Sequence, residues 1–350
     1  MEFREPIKIL AVRDRDIEAL ERAASGGAFS VLARPIIEAK GVVFGARMFD
    51  GGEVRHVAAR SLDEVSTLQG SAYVQSDTSG VYCEVANAVQ AGIPTLFVGT
   101  PCQCAAVVSY LKARKSIVDL ESCNNLIVCD LICHGVPNAE LFHSYQVWLA
   151  RKCRTDDGVH SFKFRTKRNG WGLYYYYYYY RNGRKHEVCE PGDYDPYYAS
   201  FLRGETYREC CYRCPFARRE RVTDFTIGDY WGIESIHPDF YNSKGVSVVL
   251  VNTEKALHYF DDYAAMGCDH ILSDLDSAVR ENHNLNAPTK RPISRDSFLV
   301  AIEQRRVEGD MDVLFDKDLK PKKSVKRFVK RLLPAGTFSA LKRAVKMVTR

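Results

Sequence analysis

A chain of 350 residues, 46% apolar and 27% charged, has the composition of a globular protein long enough to bury one composite core or two intimate ones. No stretch reaches the about 20 apolar residues needed to span a bilayer, and the start Met1-Glu2-Phe3-Arg4-Glu5 is too acidic for a signal peptide, so a cytoplasmic protein is expected. The net charge of +5 is uneven: eleven of the 49 Lys and Arg fall between Lys320 and Arg350 with no acid among them, and the acidic body that remains argues against nucleic acid as a partner.

In chain order, Ser25-Gly26-Gly27 precedes an apolar periodic run over 28–39 and reads as a capped helix start, with a kink at Pro35. Residues 42–47 and 54–59 form a hairpin pattern around Asp50-Gly51-Gly52. Helices are predicted over 61–68 and 82–91, separated by the polar loop Gly70-Ser71-Ala72-Tyr73-Val74-Gln75-Ser76. A buried strand over 95–98 then runs through Gly99-Thr100-Pro101-Cys102-Gln103 into a helix, and a second over 126–131 runs through Cys133-His134-Gly135 into a helix over 139–150. Two strand–loop–helix units in succession imply a parallel α/β core with both cysteines at its carboxyl edge, where such sheets bind ligands.

The middle of the chain changes texture. Residues 159–165, 173–180 and 185–189 read as antiparallel strands, the last two joined around Asn182-Gly183, and the seven tyrosines Tyr174 to Tyr180 alternate between two faces of one strand. Cys211-Tyr212-Arg213-Cys214 leads into a strand within 223–232, followed by a strand over 247–251 and a helix over 254–265. Polar residues 282–295 close the main fold. From Val325 onward apolar residues recur at helical spacing among the cations, predicting two basic amphipathic helices that dock on the body or on an anionic membrane surface. The expected fold is a mixed-sheet α/β core with helices on both faces, an antiparallel β-rich middle region and this basic helical tail. Its expected divisions are a lead over 1–19, an N-terminal part over 20–95, a C-terminal part over 96–265, a helical linker region over 266–319 and the tail over 320–350.

Four of the twelve cysteines, Cys102, Cys133, Cys211 and Cys214, sit in turn contexts that can converge. A single C-x-x-C pair closes no four-thiolate site, and structural zinc usually joins two short knuckles. One knuckle plus two lone loop cysteines suits an iron–sulfur cluster better, since each corner iron takes a thiolate from its own direction. Cys210 competes with Cys211 as ligand. The remaining cysteines read as packing thiols.

Taken together and in order, Ser25-Gly26-Gly27, Gly70 to Ser76, Gly99 to Gln103, Cys133-His134-Gly135-Val136-Pro137, Phe164-Arg165-Thr166-Lys167 with Gly170-Trp171-Gly172, Cys211-Tyr212-Arg213-Cys214 and Asp224 to Gly232 resemble the coenzyme F420 hydrogenase/dehydrogenase beta-subunit family over residues 20 to 265. The resemblance implies an oxidoreductase with FAD and a 4Fe-4S cluster, moving electrons between a two-electron partner and one-electron carriers. It implies cluster ligation by Cys102, Cys133, Cys211 and Cys214. It implies flavin contacts from Ser25, Gly26, Gly27, Gly70, Ser71, Tyr73, Gln75, Ser76, Gly99, Thr100, Pro101, Gln103, Arg165, Lys167 and Trp171, with phosphate oxygens on backbone N–H groups at helix starts. His134 is the candidate proton donor, or a structural hydrogen bond in its turn. Asp224 and Asp229 read as charges near the site or as strand-end residues.

The chain departs from the family pattern twice. No cysteine precedes Cys83, so a separate ferredoxin or ferredoxin-like subunit is expected as partner in place of an N-terminal two-cluster segment, and Ala72 stands where a Gly-Ser-Lys-Tyr pattern carries a cation. The competing reading from another functional class is a non-catalytic adaptor, stabilised by zinc on the four cysteines and working at a membrane surface through its tail.

Overall fold

The computed structural model describes residues 2–319. The predicted tail over 320–350 lies outside them. Eight strands make one mixed sheet in the order β11-β1-β10-β9-β5-β4-β2-β3. In chain order its elements are β1 (Lys8–Asp14), α1 (Ile17–Arg22), α2 (Ala28–Glu38), β2 (Val42–Met48), β3 (Val54–Ala59), α3 (Leu62–Ser66), α4 (Val81–Gln90), β4 (Thr95–Gly99), α5 (Pro101–Ala113), β5 (Leu126–Leu131) and α6 (Ala139–Cys153), followed after an insertion by β9 (Phe225–Asp229), α8 (Ile233–Ile236), β10 (Ser247–Val251), α9 (Glu254–Tyr259), β11 (Cys268–Ser273) and α10 (Leu275–Glu281). The insertion holds β6 (Val159–Lys163), β7 (Tyr174–Arg181), β8 (Arg184–Pro191) and α7 (Pro196–Leu202), and α11 (Ser294–Glu308) packs against it.

Strands β2, β4, β5 and β9 are parallel neighbours, and the flanking pairs are antiparallel. The period-2 alternation of side chains serves both faces. On one face Val249 and Val251 of β10 join Leu10 and Val12 of β1 under Val31 and Leu32 of α2. On the other, Val248 and Leu250 meet Ile9 and Ile233, while Phe97 and Val128 pack under Val85 of α4 and Val107 of α5. Helices on both faces follow from strands that are apolar on both sides.

Two strands fall where the sequence reading names none. β1 lies in the stretch read as a lead and pairs with both β10 and β11, the latter in the stretch read as a linker. These pairings join residues some 250 positions apart, for which local periodicity carries no signal. The start of α2 also differs in detail: Gly27, in the left-handed region at φ 85°, takes the cap position, and the Ser25 hydroxyl donates instead to the Val246 carbonyl at 2.8 Å. Gly26 is required there by crowding, since a Cβ would come within 2.3 Å of the Val12 carbonyl oxygen and of the Ser247 nitrogen.

The insertion is a three-stranded antiparallel sheet, β6-β7-β8, on an aromatic core. Tyr175 and Tyr177 point inward with Phe142 and Tyr145 of α6 and Tyr197 of α7, while Tyr176 and Tyr178 lie under Arg168 and Lys185 on the outer face. The tyrosine run is therefore a two-faced strand, as its alternation predicts. Among the described residues no helix is long and apolar enough to cross a membrane.

Candidate functional site

The strands β4, β5 and β9 end side by side, and their exit loops wall a cleft with about 1610 Å³ of empty space counted to its open mouth. The exit of β4 brings Gly99, Thr100 and Cys102, that of β5 brings Cys133, His134 and Gly135, and β9 ends on Asp229. Ser25, Gly27, Ala28 and the loop Gly70 to Ser76 close the remaining sides. This is the carboxyl edge of the parallel strands, where chain crossovers part and leave room for a ligand.

Cys102 is the second residue of α5 and exposed, because Pro101 at the helix start needs no N–H partner and turns the next side chain outward. Cys133 is enclosed by protein on all sides but the cleft. Burial first, then the neighbouring thiols of Cys102, Cys211 and Cys214, push its pKa up to about 12. Burial likewise raises Cys211 to about 11 and raises Cys214, each with Cys102 among its neighbours. Backbone N–H groups of Gly135, Val136, and Phe216 with Ala217 face the Cys133, Cys211 and Cys214 sulfurs respectively and oppose that rise. Cys102 and Cys133 line the cleft, and Cys211 and Cys214 lie near them but outside its lining. Gly135 permits the approach: its φ is 132°, and a Cβ would meet the Tyr207 ring at 2.5 Å and the Cys211 Cβ at 3.1 Å. Among the described residues no group of three or more His, Cys, Asp or Glu closes around a single ion. Cys210 is exposed beside Cys211. The thiols of Cys104, Cys153 and Cys268 are buried against protein partners, as packing cysteines would be.

A file of hydrogen bonds runs from the floor of the cleft to Cys102. Buried His56 contacts the Val98 carbonyl through Nε2 at 3.0 Å, so that nitrogen carries the proton and Nδ1 accepts from the Ser76 hydroxyl at 2.9 Å. Ser76 accepts from Gln103 Nε2 at 2.8 Å, Gln103 Oε1 accepts from the Thr100 N–H and hydroxyl at 3.0 Å each, and Thr100 Oγ1 lies 3.2 Å from the Cys102 sulfur. Burial lowers the His56 pKa, which keeps the ring neutral and the file's polarity fixed. The sequence reading missed His56. Its signal was the alternation of β3, where His56 points inward between exposed Arg55 and half-buried Val57, and an inward polar group on a strand needs a partner.

The cations expected at the flavin stand behind the cleft wall instead of lining it. Arg165 forms a two-armed ion pair with Asp229 at 2.7 and 2.8 Å and donates further to the Gly172 and Ala24 carbonyls. Lys167 donates to the Leu20 and Ser25 carbonyls, and burial lowers its pKa to about 8. Trp171 donates to Asp229 at 2.7 Å and stacks on Trp231 with ring centres 4.8 Å apart. These three residues shape the wall through Asp229 and Trp231, which do face the cleft. Gly26 and Pro101 also lie outside the lining, while Ser25, Gly27, Gly70, Ser71, Tyr73, Gln75, Ser76, Gly99, Thr100 and Gln103 belong to it. His134 is exposed and opens onto the cleft; desolvation by the surrounding chain lowers its pKa, with Asp229 pulling the other way. Asp224 sits at the opposite end of β9, bound to the Val128 N–H, Thr253 and Lys255.

Residues 94–271 match the family model for the C terminus of the coenzyme F420 hydrogenase/dehydrogenase beta subunit. The fold is similar to that of a chain in the xenon-derivatised F420-reducing nickel–iron hydrogenase complex from Methanosarcina barkeri, with a TM-score of 0.51 and 14% identity over 87% of this chain and 94% of that one. No curated protein matches the sequence.

Proposed function

The chain belongs to the coenzyme F420 hydrogenase/dehydrogenase beta-subunit family, and from that premise we propose that it is an iron–sulfur flavoprotein oxidoreductase. It would pass electrons between a small two-electron redox partner, coenzyme F420 or another, and ferredoxin-type one-electron carriers. The family itself gives a redox role of the beta-subunit type. The cofactors, the substrate and the carrier are the proposal.

The observation that supports it is that Cys102 and Cys133 line one cleft at the carboxyl edge of the sheet, with Cys211 packed against Gly135 and Cys214 near Cys102 just outside that lining. The residue types suit a 4Fe-4S cluster: four thiols come from three loops, and backbone N–H groups face three of the sulfurs. They also fit a flat, elongated ligand such as FAD, because Ala23, Ala24, Gly27, Gly45, Ala46 and Ala72 keep the cleft walls low. When bound, the flavin supplies two-electron exchange and the cluster single-electron relay.

The chain's own groups then have separate tasks. The four cysteines hold the iron. The file from His56 through Thr100 fixes the hydrogen-bond polarity around the Cys102 sulfur. Asp229 takes both arms of Arg165 and in turn fixes Trp171, so that Trp231 presents a stacked aromatic wall. His134, at the cleft surface, can take up or release a proton there.

Anaerobic purification of the full-length chain with iron, sulfide, zinc and flavin analysis tests this reading. About four irons and four sulfides per chain with bound flavin are expected. Stoichiometric zinc without iron or flavin would replace it with the adaptor reading.

A further inference from the structure

Helix α11 packs one side on the insertion, where Phe298 is buried and Ala301 and Ile302 are half-buried against the aromatic core. The opposite side faces water and should be polar. Instead Ile293, Val300 and Val307 stand there 98%, 66% and 80% exposed. Ile293 already has helical backbone angles, φ −58° and ψ −34°, so the three continue one line at seven-residue spacing. Val300, two residues beyond Phe298, is turned about 160° from it, and the row runs for about 21 Å. Single exposed apolar residues are ordinary, but a row at this spacing is the seam of a helix pair. Among the described residues nothing covers it.

The charge beside the row is negative. Asp296 and Glu303, each three positions after an apolar residue of the row, run along it, and Glu308 and Asp310 stand at its end, all exposed. From Ser294 to Asp318 the chain carries seven acids against four cations, and one of those cations, Arg295, is buried. The exposed pairs these acids make, Asp296 with Arg291 and Glu308 with Arg305 at 2.6 Å each, are weakened by water and salt and can be exchanged.

The chain itself supplies a complementary segment. Leu319 is buried in the same aromatic core as Phe298, and Asp318 accepts from Arg305 of α11 at 2.9 Å, so the residues that follow start beside this helix. Residues 320–350 carry eleven cations and no acid, and Val325, Phe328, Val329 and Leu332 recur at helical spacing. Residues 320–324 can span about 17 Å, enough to pass round a helix about 10–12 Å across. Val325 and Leu332 are then as far apart in sequence as Val300 and Val307.

We propose that residues 325–332 dock on the row formed by Ile293, Val300 and Val307 of the same chain, held by apolar contact and by the tail's cations against the acids beside it. The short tether favours the chain's own tail over a second copy, because it keeps the segment at high effective concentration. The inference goes beyond the proposed function and does not depend on it, since neither surface belongs to the cleft.

Amide hydrogen exchange of the full-length chain, read by mass spectrometry at residues 325–332, tests this, with a synthetic peptide of residues 320–350 as the undocked reference. Docking should slow exchange there at least about tenfold against the peptide, at any protein concentration, and less as salt rises. Val300→Gln combined with Val307→Gln removes the row without touching the core and replaces β-branched residues by better helix formers. An unchanged urea midpoint for the core would confirm that this variant is folded, and its residues 325–332 should exchange at the peptide's rate. Wild type exchanging at the peptide's rate, or a Gln variant protected as well as wild type, overturns the proposal. Protection that appears only as protein concentration rises overturns it in favour of a second copy, and protection that appears only with phosphatidylserine vesicles overturns it in favour of a membrane surface.

Discussion

The carboxyl edge of the sheet and the aromatic layer of the insertion use their polar groups differently. In the aromatic layer Tyr145 donates to Asp195 at 2.5 Å, Trp148 to Asp316 at 3.1 Å, and Tyr197 to the Tyr73 carbonyl at 2.9 Å, so side chains close on one another and fix a shape. At the sheet edge Cys102, Cys133 and His134 line an open cleft, while Arg165 and Asp229 pair at its wall. A region whose side chains mostly bond one another acts as a scaffold. One that lines an open cleft leaves its polar groups accessible to a ligand.

The sharpest way to break that contrast is a pair of cysteine substitutions. Cys133→Ser should strip most of the iron from anaerobically prepared protein, because a hard alkoxide replaces a thiolate, whereas Cys153→Ser, beside Tyr177 in the aromatic layer, should keep it. Equal iron in both variants, measured per folded chain, would erase the distinction between the two sets of thiols.

Next in size is Arg165→Met. It leaves Asp229 half-enclosed without its counter-charge, and should cost about 3–5 kcal/mol in urea unfolding. A loss below about 1 kcal/mol would mean that water reaches Asp229 and that the wall is not preorganised.

The aromatic layer has a price of its own in Asp195, whose pKa burial raises to about 6. Between an unfolded carboxyl near ~3.9 and that value the folded state binds more protons than the unfolded one, so stability should fall as pH rises through this window, by about 3 kcal/mol in all. Urea midpoints from pH 4 to 7 should show this slope in wild type and lose it in Asp195→Asn. A flat wild-type profile would show that Asp195 is ionised at no cost.

The smallest effect belongs to the hydrogen-bond file. Ser76→Ala leaves His56 Nδ1 and Gln103 Nε2 without their shared partner and should cost about 1–2 kcal/mol. No measurable loss would mean that the file is not closed in solution.

Much of the fold was legible residue by residue. The hairpin turn, the two strand–loop–helix units and the tyrosine strand all follow from side-chain period and turn chemistry, which are local properties. The grouping of Cys102 and Cys133 at one sheet edge was legible too, since each follows a strand of the same direction. Arg165 was harder to read. In sequence it is a cation on a strand, and nothing within several residues reveals that Asp229, 64 positions on, will take both arms of its guanidinium.

The sequence by itself determined most of the helices and strands apart from β1 and β11, which faces are apolar, and which cysteines stand in turns. Only the tertiary structure decided that β1 joins the interior of the sheet, that Arg165 and Lys167 serve the protein's own oxygens, and that His56 anchors a file to Cys102. The physical reason is range. Secondary structure follows from each residue's near neighbours, while the pairing of strands and the satisfaction of buried charges depend on which distant segments come to lie in contact.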